Sequence, residues 1–125
     1  MFKFKGFALR EANFMTDQVI VALTTCPDEA SALAVATALV QERLATCVNR
    51  IGGVRSTYFW DARLQDEAEI LLIIKTTAGR LDELRTRLGA LHPYELPELL
   101  AIEVAGGNER YLDWVRMGVQ NKGEQ

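Results

Sequence analysis

Two long segments, Val54–Trp60 (VRSTYFW) and Glu67–Thr77 (EAEILLIIKTT), follow one another with the mainly polar stretch Asp61–Asp66 between them. Period-two spacing places one set of side chains of the first segment on a single strand face: Val54, Ser56, Tyr58 and Trp60. The second segment is centred on an apolar run rich in isoleucine and leucine, which is typical of a buried strand. The pattern predicts an antiparallel hairpin in the middle of the chain, with its turn over residues 61–66.

A strand, a helix and a second strand are predicted before the hairpin. The run Val19–Leu23 is short, apolar and β-branched, as in a buried strand. Pro27 suits the first position of a helix, and the two acids after it complement the positive end of the helix dipole. The expected buried stripe of this helix is Leu33, Thr37, Val40 and Leu44. The strand Thr46–Ile51 then runs through Gly52-Gly53, where paired glycines indicate a bulge, into the hairpin.

A helix, a strand and a final helix are predicted after the hairpin. Thr77 is a suitable N-cap for the first of these helices, and Pro93 ends it. The apolar stripe of that helix is Leu81, Leu84, Leu88 and Leu91. The segment Leu99–Val104 is typical of a fourth strand. Asn108 is a suitable N-cap for the last helix, which carries Tyr111, Trp114, Val115 and Val119.

The order of these elements predicts an α+β protein with a ferredoxin-like βαββαβ sandwich and an additional C-terminal helix. We divide the chain into a loose N-terminal extension (residues 1–17), one domain (18–120) and a C-terminal tail (121–125). Helices cover only one face of such a sheet. Because the hairpin would expose Tyr58, Phe59 and Trp60, we expect the other face and the sheet edges to be covered by self-association.

Composition narrows the classes of function. The 125 residues carry a net charge of −3, so a nucleic-acid partner is not expected. No segment approaches the roughly 18 apolar residues of a membrane span, and a membrane partner is not expected either. Cys26 and Cys47 lack the spacing of a metal or disulfide motif, which favours two free, buried thiols and a cytoplasmic location.

Other functions hosted by the ferredoxin-like fold are disfavoured by specific residues. Base-stacking aromatics are missing from the first strand and from residues 70–76, which argues against RNA recognition. Cys26 stands alone where a copper chaperone has two cysteines. No catalytic triad, HExxH or P-loop pattern is present, and His92 is the single histidine. The sequence therefore predicts a protein that is not an enzyme.

Four stretches occur in a characteristic order: Thr25–Ala30, Leu44–Asn49, Ser56–Trp60 and His92–Glu98, with Tyr111–Trp114 closing the set. In this order they resemble the CutA divalent-cation-tolerance proteins, over roughly residues 18–118. The resemblance implies a PII-like homotrimer, involved in tolerance or response to divalent cations such as copper. It also implies that Tyr58 and Trp60 are interface and packing residues.

A metal site is the least defined part of this expectation. The resemblance implies a ligand set of a cysteine at the end of the first strand and two adjacent histidines before Pro93. This chain has Thr24 at the first of these positions and Leu91 at the second. His92 and Glu98 remain as the candidate metal ligands, for copper or another divalent cation. Two alternatives stay open: a small enzyme with an interfacial site around His92, Glu95 and Glu98, and a purely structural or partner-binding trimer.

Overall fold

The structure, a computed structural model, describes residues 16–120. Of the predicted extension over residues 1–17, only Thr16 and Asp17 are described, and the predicted tail over 121–125 lies outside the described residues. The strands are β1 (Val19–Cys26), β2 (Cys47–Trp60), β3 (Arg63–Thr77) and β4 (Leu100–Glu103). The helices are α1 (Glu29–Gln41), α2 (Leu81–Leu91) and α3 (Glu109–Gly118), and a 3-10 turn, Ala78–Arg80, precedes α2.

The four strands form one antiparallel sheet in the order β2-β3-β1-β4, which confirms the predicted ferredoxin-like α+β fold. Helices α1 and α2 pack on one face. The main core lies between them and the sheet and includes Ala22, Cys26, Leu39, Leu72, Ile74, Leu84 and Leu88. The strands β2 and β4 are the two edges of the sheet.

The central hairpin is longer than predicted. Its turn is only Asp61-Ala62, whose φ angles of 57° and 60° lie in the left-handed region of a tight two-residue hairpin turn. Residues 63–66, which we predicted to be turn, instead continue β3 and pair with β2, for example Trp60 with Arg63. Their polarity reflects an exposed strand end. The predicted bulge is confirmed, because the register shifts between Ile51 and Val54.

Helix α1 buries a different face from the one predicted. Leu33 and Val40 are exposed, whereas the buried residues of the helix are Ala32, Val35, Ala36 and Leu39. The core face of the helix thus combines two alanines with Val35 and Leu39, while Leu33 and Val40 lie on the outer side. The helix also begins later than predicted. Asp28, not a helical residue, is the N-cap and accepts from the Ser31 N–H at 2.8 Å, so Pro27 lies before the helix.

Three ends of the other two helices were predicted from sequence, and two of these predictions are confirmed. Helix α2 ends at Leu91, directly before His92-Pro93, and Asn108 caps α3 by accepting from the Arg110 and Tyr111 N–H groups. The predicted cap at Thr77 is wrong, because a 3-10 turn intervenes and the Thr77 side chain makes no capping hydrogen bond. Among residues 16–120, no helix is long and apolar enough to cross a bilayer.

Candidate functional site

The sheet face opposite α1 and α2 is only partly covered. Helix α3 packs on one end of it, where Leu112 and Val115 contact Val19. Strand register places a broad apolar set on the rest of this face: Val21, Leu23, Ile51, Leu71, Ile73, Leu100 and Ile102. Ile102 is 53% exposed and Leu100 is 56% exposed. We call this set the open face. Apolar patches of this kind mark association sites.

A cleft of about 770 Å³ lies beside the open face, between the β2–β3 hairpin and the segment after α2. We call it the hairpin cleft. Its lining residues are Thr25, Ser56, Thr57, Tyr58, Trp60, Glu67, Glu69, Pro93, Tyr94, Glu95, Leu96 and Glu98. The hairpin places Ser56, Tyr58 and Trp60 on the cleft side by period two, and Pro93 begins the segment that closes the other side.

Glu69 lies at the base of the hairpin cleft and is only 7% exposed. One of its carboxylate oxygens accepts from the Ser56 hydroxyl at 2.6 Å, and the other accepts from the Tyr94 hydroxyl at 2.6 Å. This network ties the segment after α2 to strands β2 and β3. The sequence analysis did not predict this network. The signal for it was the position of Glu69, an acidic residue directly before the apolar run of β3.

The hairpin cleft has a strongly negative character. Glu67, Glu69, Glu95 and Glu98 line it, and none of its lining residues is lysine or arginine. Burial, and then the nearby Glu69, raise the pKa of the Glu98 carboxyl above its usual range. Burial and the hydrogen bond to Glu69 raise the pKa of the Tyr94 phenol. The hydrogen bond to Glu67, whose acceptor lies 2.8 Å away, raises the pKa of the Tyr58 phenol.

His92 does not line the hairpin cleft but turns into the protein. Its Nε2 atom lies 2.7 Å from the carbonyl oxygen of Thr25, and its Nδ1 atom accepts from the Tyr94 N–H at 3.1 Å. A ring that accepts at Nδ1 carries its proton on Nε2, so the neutral ring donates to Thr25. Both nitrogens are therefore engaged, and this ring has no free nitrogen to offer a metal ion.

The two cysteines and Thr24 lie away from the cleft. Cys26 is fully buried, with its Sγ 3.7 Å from Nε2 of His92, and burial raises the pKa of its thiol. Cys47 is a free thiol at the start of β2, as predicted, but it is half-buried, whereas the sequence analysis predicted a buried side chain. Thr24 is fully buried, and its hydroxyl has no hydrogen-bond partner among the described residues.

The predicted site residues are thus brought together only in part. Glu95 and Glu98 share the cleft with Tyr58 and Trp60, whereas His92 is directed to the main chain of Thr25. Within residues 16–120, no group of three or more His, Cys, Asp or Glu side chains is placed to hold a metal ion. Tyr58 and Trp60 are exposed in the single chain, so they are not core residues of the subunit. Their role at an interface stays a prediction.

The match to known proteins covers most of the chain. A sequence model described as the CutA1 divalent ion tolerance protein matches residues 20–117. The chain is 47% identical over 96 residues to the divalent-cation tolerance protein CutA of Thermus thermophilus, covering 77% of this chain and 93% of that protein. It is 37% identical over 111 residues to the chloroplastic CutA protein of Arabidopsis thaliana, covering 89% of this chain and 61% of that protein. The crystal structure of CutA1 from Oryza sativa matches with a TM-score of 0.82 at 37% identity, covering 86% of this chain and 99% of that one.

Proposed function

The chain belongs to the CutA1 divalent ion tolerance protein family, and on that premise we propose that it acts in tolerance or response to divalent cations, copper among them. We propose further that it does so as a homotrimer that binds a metal ion or another ligand at or near its subunit interfaces. The names of its bacterial relatives describe divalent-cation tolerance and no reaction, which favours a binding protein over an enzyme.

The open face is the observation that carries the proposal of a homotrimer. Leu100 and Ile102 expose more than half of their side chains on a sheet face that a soluble monomer would leave in water. The strands β2 and β4 also present two unpaired sheet edges, and edges of this kind are normally paired or covered. A second and a third copy of the chain would cover both features at once.

The hairpin cleft supports ligand binding next to that interface. Tyr58 and Trp60 of the hairpin line this cleft. The electric field of its carboxylates attracts cations and raises their local concentration. Of the two predicted metal ligands, Glu98 lines the cleft and can contact a cation there. His92 would first have to break its hydrogen bond to the Thr25 carbonyl. Copper binding through His92 thus has less support than cation attraction by the carboxylates.

A cytoplasmic location remains part of the proposal. Cys26 and Cys47 are both free thiols, which fits a reducing compartment. The Arabidopsis relative carries the word chloroplastic in its name, so the family is not confined to the cytoplasm. Fractionation of the source cells, with detection by antibody, would decide the location, and enrichment outside the cytoplasm would contradict it.

Two measurements test the proposed function. Light scattering after size-exclusion chromatography should give three times the mass of the 14.0 kDa chain, and a monomer would contradict the trimer. Calorimetric titration with Cu²⁺ and Zn²⁺ should detect binding that weakens in Glu98→Gln. Absence of any metal binding by the assembled protein would remove direct metal binding from the proposal.

A further inference from the structure

Helix α1 has an outer face without charge. Between Ala30 and Gln41 the helix carries no acidic or basic side chain. Leu33 is 50% exposed and Val40 is 41% exposed, and Thr37, one turn from each of them, is exposed as well. We call these three residues the α1 face. Because a surface helix normally presents charged or polar residues to water, an uncharged apolar face is typical of a surface that another segment covers.

The other two helices show the usual pattern of a solvent-exposed helix. Each carries four charged side chains, which are Asp82, Glu83, Arg85 and Arg87 in α2 and Glu109, Arg110, Asp113 and Arg116 in α3. Nor would the proposed trimer cover the α1 face, because α1 packs on the sheet face opposite the open face. The α1 face is therefore a second surface, separate from the one that the trimer would bury.

The chain itself contains apolar residues that suit this surface. Four of its five phenylalanines lie in residues 1–15, which we call the N-terminal segment: Phe2, Phe4, Phe7 and Phe14. The family match, over residues 20–117, does not include this segment. Since large apolar side chains are stabilised by removal from water, a segment of this composition favours contact with an apolar surface.

The N-terminal segment joins the domain close to the end of α1. The carbonyl of Thr16 accepts from the Gly79 N–H at 3.0 Å. The next residue, Arg80, donates from Nε to the Arg43 carbonyl at 3.3 Å, and Arg43 lies two residues after the end of α1. Two hydrogen bonds and one peptide unit thus connect the start of the described chain to the end of this helix.

A cavity of about 310 Å³ continues the α1 face at that end. Its lining comes from the end of α1, the turn that follows and α3: Val40, Gln41, Arg43, Ala45, Thr46, Trp114 and Gly118. Phe7 is nine residues before Thr16, and an extended chain of that length spans roughly 30 Å. Helix α1, with 13 residues, is only about 20 Å long. The N-terminal segment is therefore long enough to pass the cavity and lie along the whole α1 face.

We propose that the N-terminal segment docks on the α1 face of its own subunit, with its phenylalanines against Leu33 and Val40. A covalently attached segment acts at an effective concentration of roughly a millimolar, whereas a second trimer must be captured from solution. The chain's own segment is thus favoured over another copy as the occupant. The docking leaves the open face and the hairpin cleft as they are, so it goes beyond the proposed function and does not rest on it.

Trypsin tests the docking, because its cleavage sites after Lys3, Lys5 and Arg10 lie within the segment. Cleavage of a docked segment follows the small population that is undocked at any moment. We expect cleavage of the full-length protein at these sites, followed by mass spectrometry, to be at least about tenfold slower than cleavage of a synthetic peptide of residues 1–15. Equal rates in the protein and the peptide would overturn the proposal.

Matched variants locate the docking surface. Leu33→Lys and Val40→Lys place a charge on the α1 face and should each speed cleavage of the segment by about fivefold or more. Ala90→Lys adds the same charge to the exposed side of α2 and should leave the rate unchanged. If Leu33→Lys and Val40→Lys are cleaved as slowly as the unchanged protein, the segment docks elsewhere and the proposal is wrong.

A change in the segment itself gives the reciprocal test without altering the folded domain. Phe7→Ser should speed cleavage after Lys5 and Arg10 by about threefold or more. Adding Leu33→Lys to Phe7→Ser should increase the rate less than Leu33→Lys does alone, because both changes remove the same contact. Fully additive effects of the two changes would show that the two residues do not meet, and the proposed arrangement would be overturned.

Light scattering distinguishes the other occupants of the α1 face. If the unchanged protein has six times the mass of one chain and Leu33→Lys has three times that mass, a second trimer covers the face and the proposal is overturned. Ile102→Lys changes the opposite side of the sheet and should keep the segment protected, even as a monomer. Loss of protection in Ile102→Lys would place the segment in the subunit interface and would also overturn the docking. A trimer without protection leaves the proposed function standing, and a protected monomer leaves the docking standing.

Discussion

The Nε2 atom of His92 lies 2.7 Å from the carbonyl oxygen of Thr25, although 67 residues separate the two in the chain. The bond joins the segment after α2 to the end of β1, on the floor of the hairpin cleft, to which Thr25 contributes. The same ring accepts from the Tyr94 N–H, and Tyr94 in turn reaches Glu69. The single histidine thus holds one wall of the cleft in place.

The first prediction concerns this role of His92. His92→Ala leaves a buried carbonyl and a main-chain N–H without their partners, so the free energy of unfolding should fall by about 2 kcal/mol in urea denaturation. Copper affinity, measured by calorimetry, should not change. Glu95→Ala changes an exposed residue of the same segment and is the control. Its free energy of unfolding should be close to that of the unchanged protein. Loss of copper affinity at unchanged stability would make His92 a ligand after all.

The second prediction compares two buried threonines. Thr24 and Thr76 are both fully buried, but only Thr76 donates, to the Leu44 carbonyl at 2.8 Å. Thr24→Val removes an unpaired hydroxyl and should raise the free energy of unfolding by about 1 kcal/mol, whereas Thr76→Val should lower it by about 1–2 kcal/mol. Denaturation midpoints of the two variants check this, and equal shifts would show that the Thr24 hydroxyl is paired in solution.

The third prediction tests which sheet face associates. Ile102→Lys places a charge on the open face, and Leu33→Lys places one on the outer side of α1; both side chains are about half exposed in the single chain. We expect Ile102→Lys to yield monomers by light scattering, because a lysine cannot be buried there without a partner. Leu33→Lys should remain trimeric. The reverse pattern would assign the interface to the helical side.

The fourth prediction uses the raised pKa of Glu98. The folded chain binds a proton at Glu98 more tightly than the unfolded chain, so this group favours folding at low pH, and its contribution is lost as the pH rises through the folded-state pKa. Glu98→Gln should therefore be more stable than the unchanged protein at pH 7 and equal to it below about pH 4. Melting temperatures across this range check the result. Glu95→Gln is the control, because it removes a charge from the same segment at a position without that burial. If Glu95→Gln raises the melting temperature as much as Glu98→Gln does, the gain comes from general charge repulsion and not from the burial of Glu98.

The fifth prediction concerns the contact of α3 with the start of β2. A Cβ on Gly118 would lie 2.5 Å from the side chain of Thr46, whose hydroxyl donates to the Val115 carbonyl. Gly118→Ala should destabilise the protein by about 2 kcal/mol through this overlap. Gly89→Ala, in α2, places its new Cβ more than 4 Å from any atom outside the adjoining helix backbone and should stabilise the protein by about 0.5 kcal/mol. Thermal unfolding of both variants distinguishes packing from backbone effects.

Local features of the chain were sufficient to predict the order of the elements. The bulge at Gly52-Gly53, the end of α2 before Pro93 and the cap at Asn108 each depend on residues within a few positions of one another. Such interactions are encoded in short stretches, so sequence patterns report them directly. The split βαββαβ order and the family resemblance, both confirmed, follow from these elements taken in sequence.

The buried face of α1 and the hairpin cleft depended on the tertiary structure. Both alanines and larger apolar residues lie on each side of α1, so its sequence alone did not show that the side with Val35 and Leu39 faces the sheet. Likewise, His92 meets Thr25 and Tyr94 meets Glu69 only because the turns and the antiparallel register bring distant segments together. The sequence by itself determined the elements and the family. Long-range packing decided which side chains share a site: it directs His92 to the main chain of Thr25 and places the hydrogen-bonded carboxyl group of Glu69 at the base of the cleft.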